Sequence, residues 1–337
     1  MYSVVVPTYN RARMLVMTLE SLLAQEGGLP YEIIVVDNNS SDDTRGVVQS
    51  FERRAPGRLR YLPEATQGVS SARNAGIGAA QGEIIAFTED DAIPDSNWLR
   101  SIAKVYQTHS DAWCVGGKIV LRLSEACPHW FHPTKGHFDV AGLLSYLDLG
   151  DDTVKLKYPE AVWAGNFSVR REALSVVGLF NARLGRIGTR LLSGGELELC
   201  LRIHRAGGAI YYSGQAIVTH LVPPARMTKR CLRERAYWRG RTDRDPLVHD
   251  KDLSLSERAR EAFVMAKDCV KMLLFYAIIN DRRGFECELA ARRRLGYLQE
   301  DLRMLLDGKK AAAVSLPDAE RPDKSDRPEQ LHQSVPH

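Results

Sequence analysis

Two short runs govern what this chain can fold into. Residues 32–36 (EIIVV) and 83–87 (EIIAF) are apolar after their first residue and show no polar alternation. A strand with one wet face alternates, whereas an unbroken apolar run suits a parallel strand covered by helices on both faces. Residues 3–6, stopped by Pro7, and residues 59–62 supply two further short strands. Between them Met14, Leu15, Leu19, Leu22 and Leu23 recur at helical spacing across residues 11–25, and residues 44–54 and 69–80 make two more helices. Strands alternating with helices predict an α/β fold with a mostly parallel central sheet flanked by helices. A length of 337 residues is ample for that core, and 44% hydrophobic with 26% charged residues excludes global disorder and a fibre.

Ligands of such sheets bind at the carboxyl ends of the strands. Polar residues gather there three times, as Pro7-Thr8-Tyr9-Asn10-Arg11, Asp37-Asn38-Asn39 and Glu89-Asp90-Asp91. One such cluster is ordinary helix capping or turn chemistry. Three on successive strands mark a binding crevice.

The later chain is less regular. Residues 113–122 read as a strand, 127–138 as a loop rich in His, Pro and aromatics, and 161–169 as a strand crossing the front of the sheet. Residues 196–206 form a helix, with Leu199, Ile203 and Ala206 spaced for burial, after a flexible Ser193-Gly194-Gly195 loop. Short strands follow at 209–212 and 216–220, and Pro223-Pro224 marks a boundary. Three regions result: 1–225, divided near residue 100, a basic and helical region 226–306, and a Pro- and charge-rich tail 307–337 expected to be disordered.

A net charge of +4 gives no reason to expect a nucleic-acid partner. The basic residues nevertheless cluster in 226–244, with Tyr237 and Trp238 interleaved, a composition that suits peripheral contact with an anionic membrane or a flap over a diphosphate. The longest late apolar stretch, MLLFYAII at 272–279, has far fewer than the ~20 residues a membrane span requires. Six scattered cysteines without a metal-type spacing, and no signal-peptide pattern, lead to the expectation of a cytoplasmic chain, at most peripheral at the inner membrane face.

The strings PTYNR (7–11), VVDNNSSDDT (35–44), GVSSARNAGI (68–77) and FTEDDAIP (87–94), in this order, resemble family 2 glycosyltransferases. WAGNFSVRREAL (163–174), ELCLRIHRAG (198–207) and VTH (218–220) extend the similarity over about two-thirds of the chain. The resemblance implies the GT-A nucleotide-sugar-binding fold, with a helical C-terminal extension. It places 1–100 at the donor and 101–225 at the acceptor and base. It also implies an inverting transfer from a nucleoside diphosphate sugar, UDP-linked by expectation, to a hydroxyl of a glycan, a lipid-linked or a small-molecule acceptor. By the same resemblance Pro7, Thr8, Tyr9, Asn10, Arg11 and Asp37 contact the nucleotide, Arg73 and Asn74 the base and diphosphate, and Asp90 the ribose. Asp91 and His220 would hold a divalent cation, Mn²⁺ or Mg²⁺, for which carboxylates plus substrate phosphates are the usual ligands. Glu89 stands where the family more often has Asp. Trp163, Gly165 and Asn166 would line the acceptor side.

The family's Glu-Asp pair falls on Gly195-Glu196, so the resemblance makes Glu196 the general base, one methylene longer than the usual Asp. Glu198 competes only by proximity, about 200° further round a helix. These departures motivate an alternative, a catalytically impaired homologue that binds nucleotide sugar as a scaffold. A nucleotidyltransferase is disfavoured, because no early Gly-rich phosphate loop carries a Lys or Arg.

Overall fold

The computed structural model describes residues 1–125, 127, 128, 131, 140–188, 190–248, 253–278 and 281–306. The first half runs β1 (Tyr2–Thr8), α1 (Ala12–Leu23), β2 (Tyr31–Asp37), α2 (Thr44–Arg54), β3 (Leu59–Pro63), α3 (Val69–Ala79), β4 (Ile84–Phe87), β5 (Ala92–Pro94), α4 (Trp98–Thr108) and β6 (Ala112–Leu123). It continues with β7 (Thr153–Lys155), β8 (Phe167–Arg170), α5 (Arg171–Val177), α6 (Gly195–Arg205), β9 (Ala209–Val222), α7 (Lys229–Arg244), α8 (Leu255–Ala277) and α9 (Asp281–Leu306).

One sheet joins the strands in the order β3-β2-β1-β4-β8-β6-β9-β5, with β7 also on β9. The β3-β2-β1-β4 half is parallel, and β8 runs antiparallel to both β4 and β6. Successive side chains alternate between two cores, as a two-residue period demands. Val4, Val6, Ile33 and Val35 pack with Leu15, Leu19, Val48 and Trp98 on the α1, α2 and α4 side. Val5, Ile34, Val36 and Phe87 pack with Ala72, Ile77, Leu199 and Ile203 on the α3 and α6 side. Both faces are covered, which is why EIIVV needs no polar residue.

Some expectations change. Pro7 does not stop β1, because β4 pairs with it only as far as Val5 and Phe87, so no partner on that side asks for the missing N–H. Of 161–169 only the end is strand, and β8 lies inside the sheet between β4 and β6, not across its front. The two strands expected at 209–220 are one, β9, whose register against β6 shifts between Gly117 and Lys118. There Gly117 has no room for a Cβ against the Ala216 carbonyl.

The basic segment folds inward. Gly240 of α7 and Gly296 of α9 let the two helices cross so closely that a Cβ at either would overlap the partner's backbone carbonyl. Arg233, Arg241 and Arg244 pair with Glu288, Glu300 and Asp301 of α9. Among α7's charged residues only Arg230 and Glu234 are exposed. Apart from exposed Arg230, the arginines of 226–244 face internal ion pairs or the site described next, which leaves little of this segment's basic charge at the surface. The expected tail 307–337 and most of the 127–138 loop lie outside the described residues. Among the described residues no helix is long and apolar enough to cross a membrane.

Candidate active site

The parallel topology delivers the three polar clusters to one edge of the sheet. Asp37 ends β2 and accepts from the Ser40 amide at 2.9 Å and the Tyr61 hydroxyl at 2.8 Å. Burial, and then the bond to Asp37, push the Tyr61 hydroxyl up to about 12. Pro7 lies in β1, Tyr9 is 46% exposed, and Asn10 adopts φ 53° with its side-chain carbonyl accepting from the Ser41 amide. Tyr9 and Asn10 are thus exposed at the strand ends, Pro7 is half-buried and Asp37 is buried. Thr8 instead turns inward and donates to Asp90 Oδ2 at 2.8 Å.

Arg11, expected at the nucleotide, bridges the acidic cluster: its Nη1 lies 2.7 Å from Asp90 and 2.6 Å from Asp91. Burial and the adjacent Asp91, opposed by Arg11, raise the Asp90 carboxyl to about 6. Asp91 is fully buried. Burial alone would raise it too, but the Arg226 and Arg11 guanidinium groups outweigh that and hold it well below the usual carboxylate range.

β5 and β9 pair so that Ala92 faces His220, which brings the imidazole beside the acids. His220 Nδ1 lies 2.8 Å from the Leu144 carbonyl, an acceptor, and Nε2 2.9 Å from Arg226 Nη1, a donor. The proton therefore sits on Nδ1, and the Nε2 lone pair accepts from Arg226. Asp91 Oδ1 is 3.4 Å from that nitrogen and has no hydrogen-bond partner. A buried carboxylate oxygen without a partner, beside an imidazole nitrogen, offers two ligand atoms to a cation, the nitrogen once its bond to Arg226 is released. Among the described residues Glu89, Asp91 and His220 offer ligand atoms all within 4.8 Å of one another. An N/O set of this type can hold a divalent cation, and the Leu144 bond fixes the ring through its other nitrogen, as metal-binding histidines require. The residues fit the cation.

Beside this group opens a cavity of about 410 Å³, lined by Arg73, Glu89, Trp163, Gly165, Arg186 and Glu196 and closed by α7 through Arg235, Arg239 and Thr242. Gly194, at φ 98° and without room for a Cβ against Thr242, makes the turn that starts α6. Its carbonyl accepts the Glu198 amide, and Glu196 in the first helical turn projects into the cavity. Glu196 pairs with buried Arg73 at 2.9 Å. Glu198 points away, its two oxygens on Arg202 at 2.6 and 2.7 Å. The loop before α6 is anchored, the Ser193 amide donating to Thr242 at 3.1 Å.

Two expected ligand residues are structural. Asn74 exchanges both hydrogen bonds with the Phe180 backbone, at 2.8 and 3.0 Å. Asn166 is fully buried; it accepts from the Trp98 indole at 2.8 Å and donates to the Lys118 and Ala216 carbonyls. It ties β6, β9 and α4 together and has no edge left for an acceptor. Asn166→Ala strands three buried groups, so it should cost about 3 kcal/mol or more of stability in a denaturant titration, while the acceptor KM of the folded enzyme stays unchanged. A stability loss under about 1 kcal/mol, or a selective rise in KM, would return Asn166 to the acceptor site.

Sequence reasoning missed four arginines. Arg226 reaches Asp91 at 2.7 Å, and Arg186, Arg235 and Arg239 face the cavity, Arg239 lying over the Trp163 ring at 4.8 Å. For Arg226, Arg235 and Arg239 the signal was present, the basic cluster beginning just past VTH, but helical spacing alone does not say which of its arginines meet the site; Arg186 gave no such signal.

Residues 3–135 match the model of glycosyl transferase family 2. The chain is 28% identical over 249 residues to the glucosyl-dolichyl phosphate glucuronosyltransferase of Haloferax volcanii, covering 72% of this chain and 76% of the relative. It is 27% identical over 240 residues to the succinoglycan biosynthesis protein ExoM of Rhizobium meliloti, covering 70% and 71%. Among solved structures, the mannosyltransferase PcManGT from Pyrobaculum calidifontis, in complex with GDP-Man and Mn²⁺, superposes with a TM-score of 0.59 at 20% identity, covering 92% of this chain and 88% of that one. GalNAc-T7 with UDP, GalNAc and Mn²⁺ gives 0.53 at 17% identity, covering 78% and 54%. The fold is that of the GT-A glycosyltransferases, and this chain is a glycosyltransferase whose residues 3–135 match the family 2 model.

Proposed function

We propose that this enzyme is an inverting transferase that moves a sugar from a nucleoside diphosphate sugar, UDP-linked by preference, to an acceptor hydroxyl with the help of a divalent cation. The observation that carries the reading is the meeting, at the strand ends, of the Glu89, Asp91 and His220 ligand set with a cavity into which Glu196 projects. Metal-ligand and base chemistry then lie on either side of one space.

In this reading the nucleotide lies on the rim formed by Pro7, Tyr9, Asn10 and Asp37, with Asp90 toward the ribose. Asp91 and His220, with Glu89, hold the cation, which when bound neutralises charge on the leaving diphosphate. Arg11 and Arg226 keep Asp91 ionised and oriented. The acceptor enters past Trp163 and Gly165. Its oxygen attacks the anomeric carbon, the bond from that carbon to the diphosphate oxygen breaks, and the hydroxyl proton passes to the Glu196 carboxylate. One displacement inverts the anomeric centre. Arg73 pairs with the Glu196 carboxylate at 2.9 Å and fixes its aim, which supports an active enzyme over a binding scaffold.

A thermal-shift panel of UDP, GDP, dTDP and CDP sugars with Mn²⁺ tests the donor site, since a ligand selective for the native state raises its stability. A UDP sugar at a hundred times its Kd should stabilise by about 2.7 kcal/mol, and only with the metal present. No shift with any nucleotide sugar would sink the reading, and a shift with GDP sugars alone would replace the donor.

A further inference from the structure

We propose that the outer face of α8 docks the enzyme onto an anionic lipid surface. This 23-residue helix has no buried residue, although its sequence is rich in apolar side chains. Phe263 is 71% exposed, and Val270, Leu273, Leu274 and Ile278 are each more than half exposed. Positions 263, 270 and 274 fall on one stripe at helical spacing.

The charges of the helix are sorted. The acids Glu261 and Asp268 turn toward α9, where both pair with Arg294, at 2.5 and 3.2 Å. On the open face the exposed charges are basic, Arg260, Lys267 and Lys271. Among the described residues α9 adds no exposed acid, its Glu286, Glu300 and Asp301 being buried. An apolar stripe flanked by Lys and Arg, with the acids withdrawn, is the pattern of a helix lying in the plane of a bilayer interface. A symmetric pairing of two copies through this face would bring like charges together, whereas anionic headgroups complement them.

The test uses the full chain in flotation with vesicles of phosphatidylcholine alone or with one-third phosphatidylglycerol, at low and at high salt. Binding is expected to the anionic vesicles, with strong weakening at high salt. Each lysine near a charged surface is worth about fivefold in partition, so Lys267→Gln with Lys271→Gln should weaken binding by about 30-fold. Phe263→Ser should weaken it by about tenfold. Unchanged thermal unfolding of both variants shows that the fold is kept, as expected for exposed positions. Absence of binding to anionic vesicles, or equal binding of the wild type and both variants, overturns the proposal. So does a lipid-free dimer, seen by sedimentation, that Phe263→Ser dissolves, because the face would then be a subunit contact.

Discussion

In an Asp91→Asn variant, sugar transfer is expected to fall by about 10³-fold, the rate equivalent of losing several kcal/mol of leaving-group stabilisation. Asp91 is the residue on which the proposed site converges: Oδ2 is held by Arg11 and Arg226, and Oδ1 is left without a partner 3.4 Å from His220 Nε2. Asparagine keeps the shape but removes the charge that a hard cation needs. It also leaves Arg226 facing a neutral partner inside the protein, and breaking one side of a buried pair costs about 3–5 kcal/mol of stability. The variant therefore has to be read with its unfolding curve, and the wild type supplies the independent arm. Excess chelator should abolish transfer by the wild type, and Mn²⁺ should restore it, with Mn²⁺ binding followed directly by its spin-resonance signal. Full transfer in chelator, or a folded Asp91→Asn protein with the wild-type rate and unchanged Mn²⁺ binding, would show that the cation site lies elsewhere.

The donor half of the molecule was legible because its signals are local. The run from Val4 to Val6, EIIVV and EIIAF each carry their burial in their own residues, and parallel pairing then puts Thr8, Asp37 and Asp90 at one edge with no further information. Glu196 was separable from Glu198 for the same reason, since two residues on one helix turn must diverge. What escaped depends on contacts far apart in sequence. Asn166 belongs to a string that reads as acceptor lining, yet its amide is used by Trp98, Lys118 and Ala216, partners 68, 48 and 50 residues away. Arg226 lies beyond a Pro-Pro break that looks like the end of the catalytic domain, yet a single turn of 3₁₀ helix, Pro224–Met227, folds it back onto Asp91. The basic segment was visible as a composition, but α7 spends its charge on α9 and on the cavity, and the amphipathic face open to solvent belongs to α8.

Glu196→Gln should lower kcat by about 10² or more, in the ordinary range for removal of a general base, and leave the donor affinity within a few-fold of the wild type. Glutamine fills the same volume beside Arg73 and Trp163 but cannot take the acceptor's proton. Its other effect is on Arg73, which keeps its place over the Phe180 ring at 5.3 Å, so the wall of the cavity is expected to stand. Glu198→Gln gives the opposite signature. Its two-point pair with Arg202 holds a side chain that also donates to the Val177 and Leu179 carbonyls, fastening α6 to the end of α5. Loss of that charge should lower stability by about 1–2 kcal/mol with kcat nearly unchanged. The two variants thus separate chemistry from scaffolding on opposite faces of one helix, with kcat at saturating donor and the unfolding midpoint as the paired readouts. If Glu196→Gln turns over at the wild-type rate while binding donor normally, the acceptor proton goes to another group. If Glu198→Gln loses kcat with its stability intact, the orientation of α6 derived above is wrong by the two residues that distinguish the candidates.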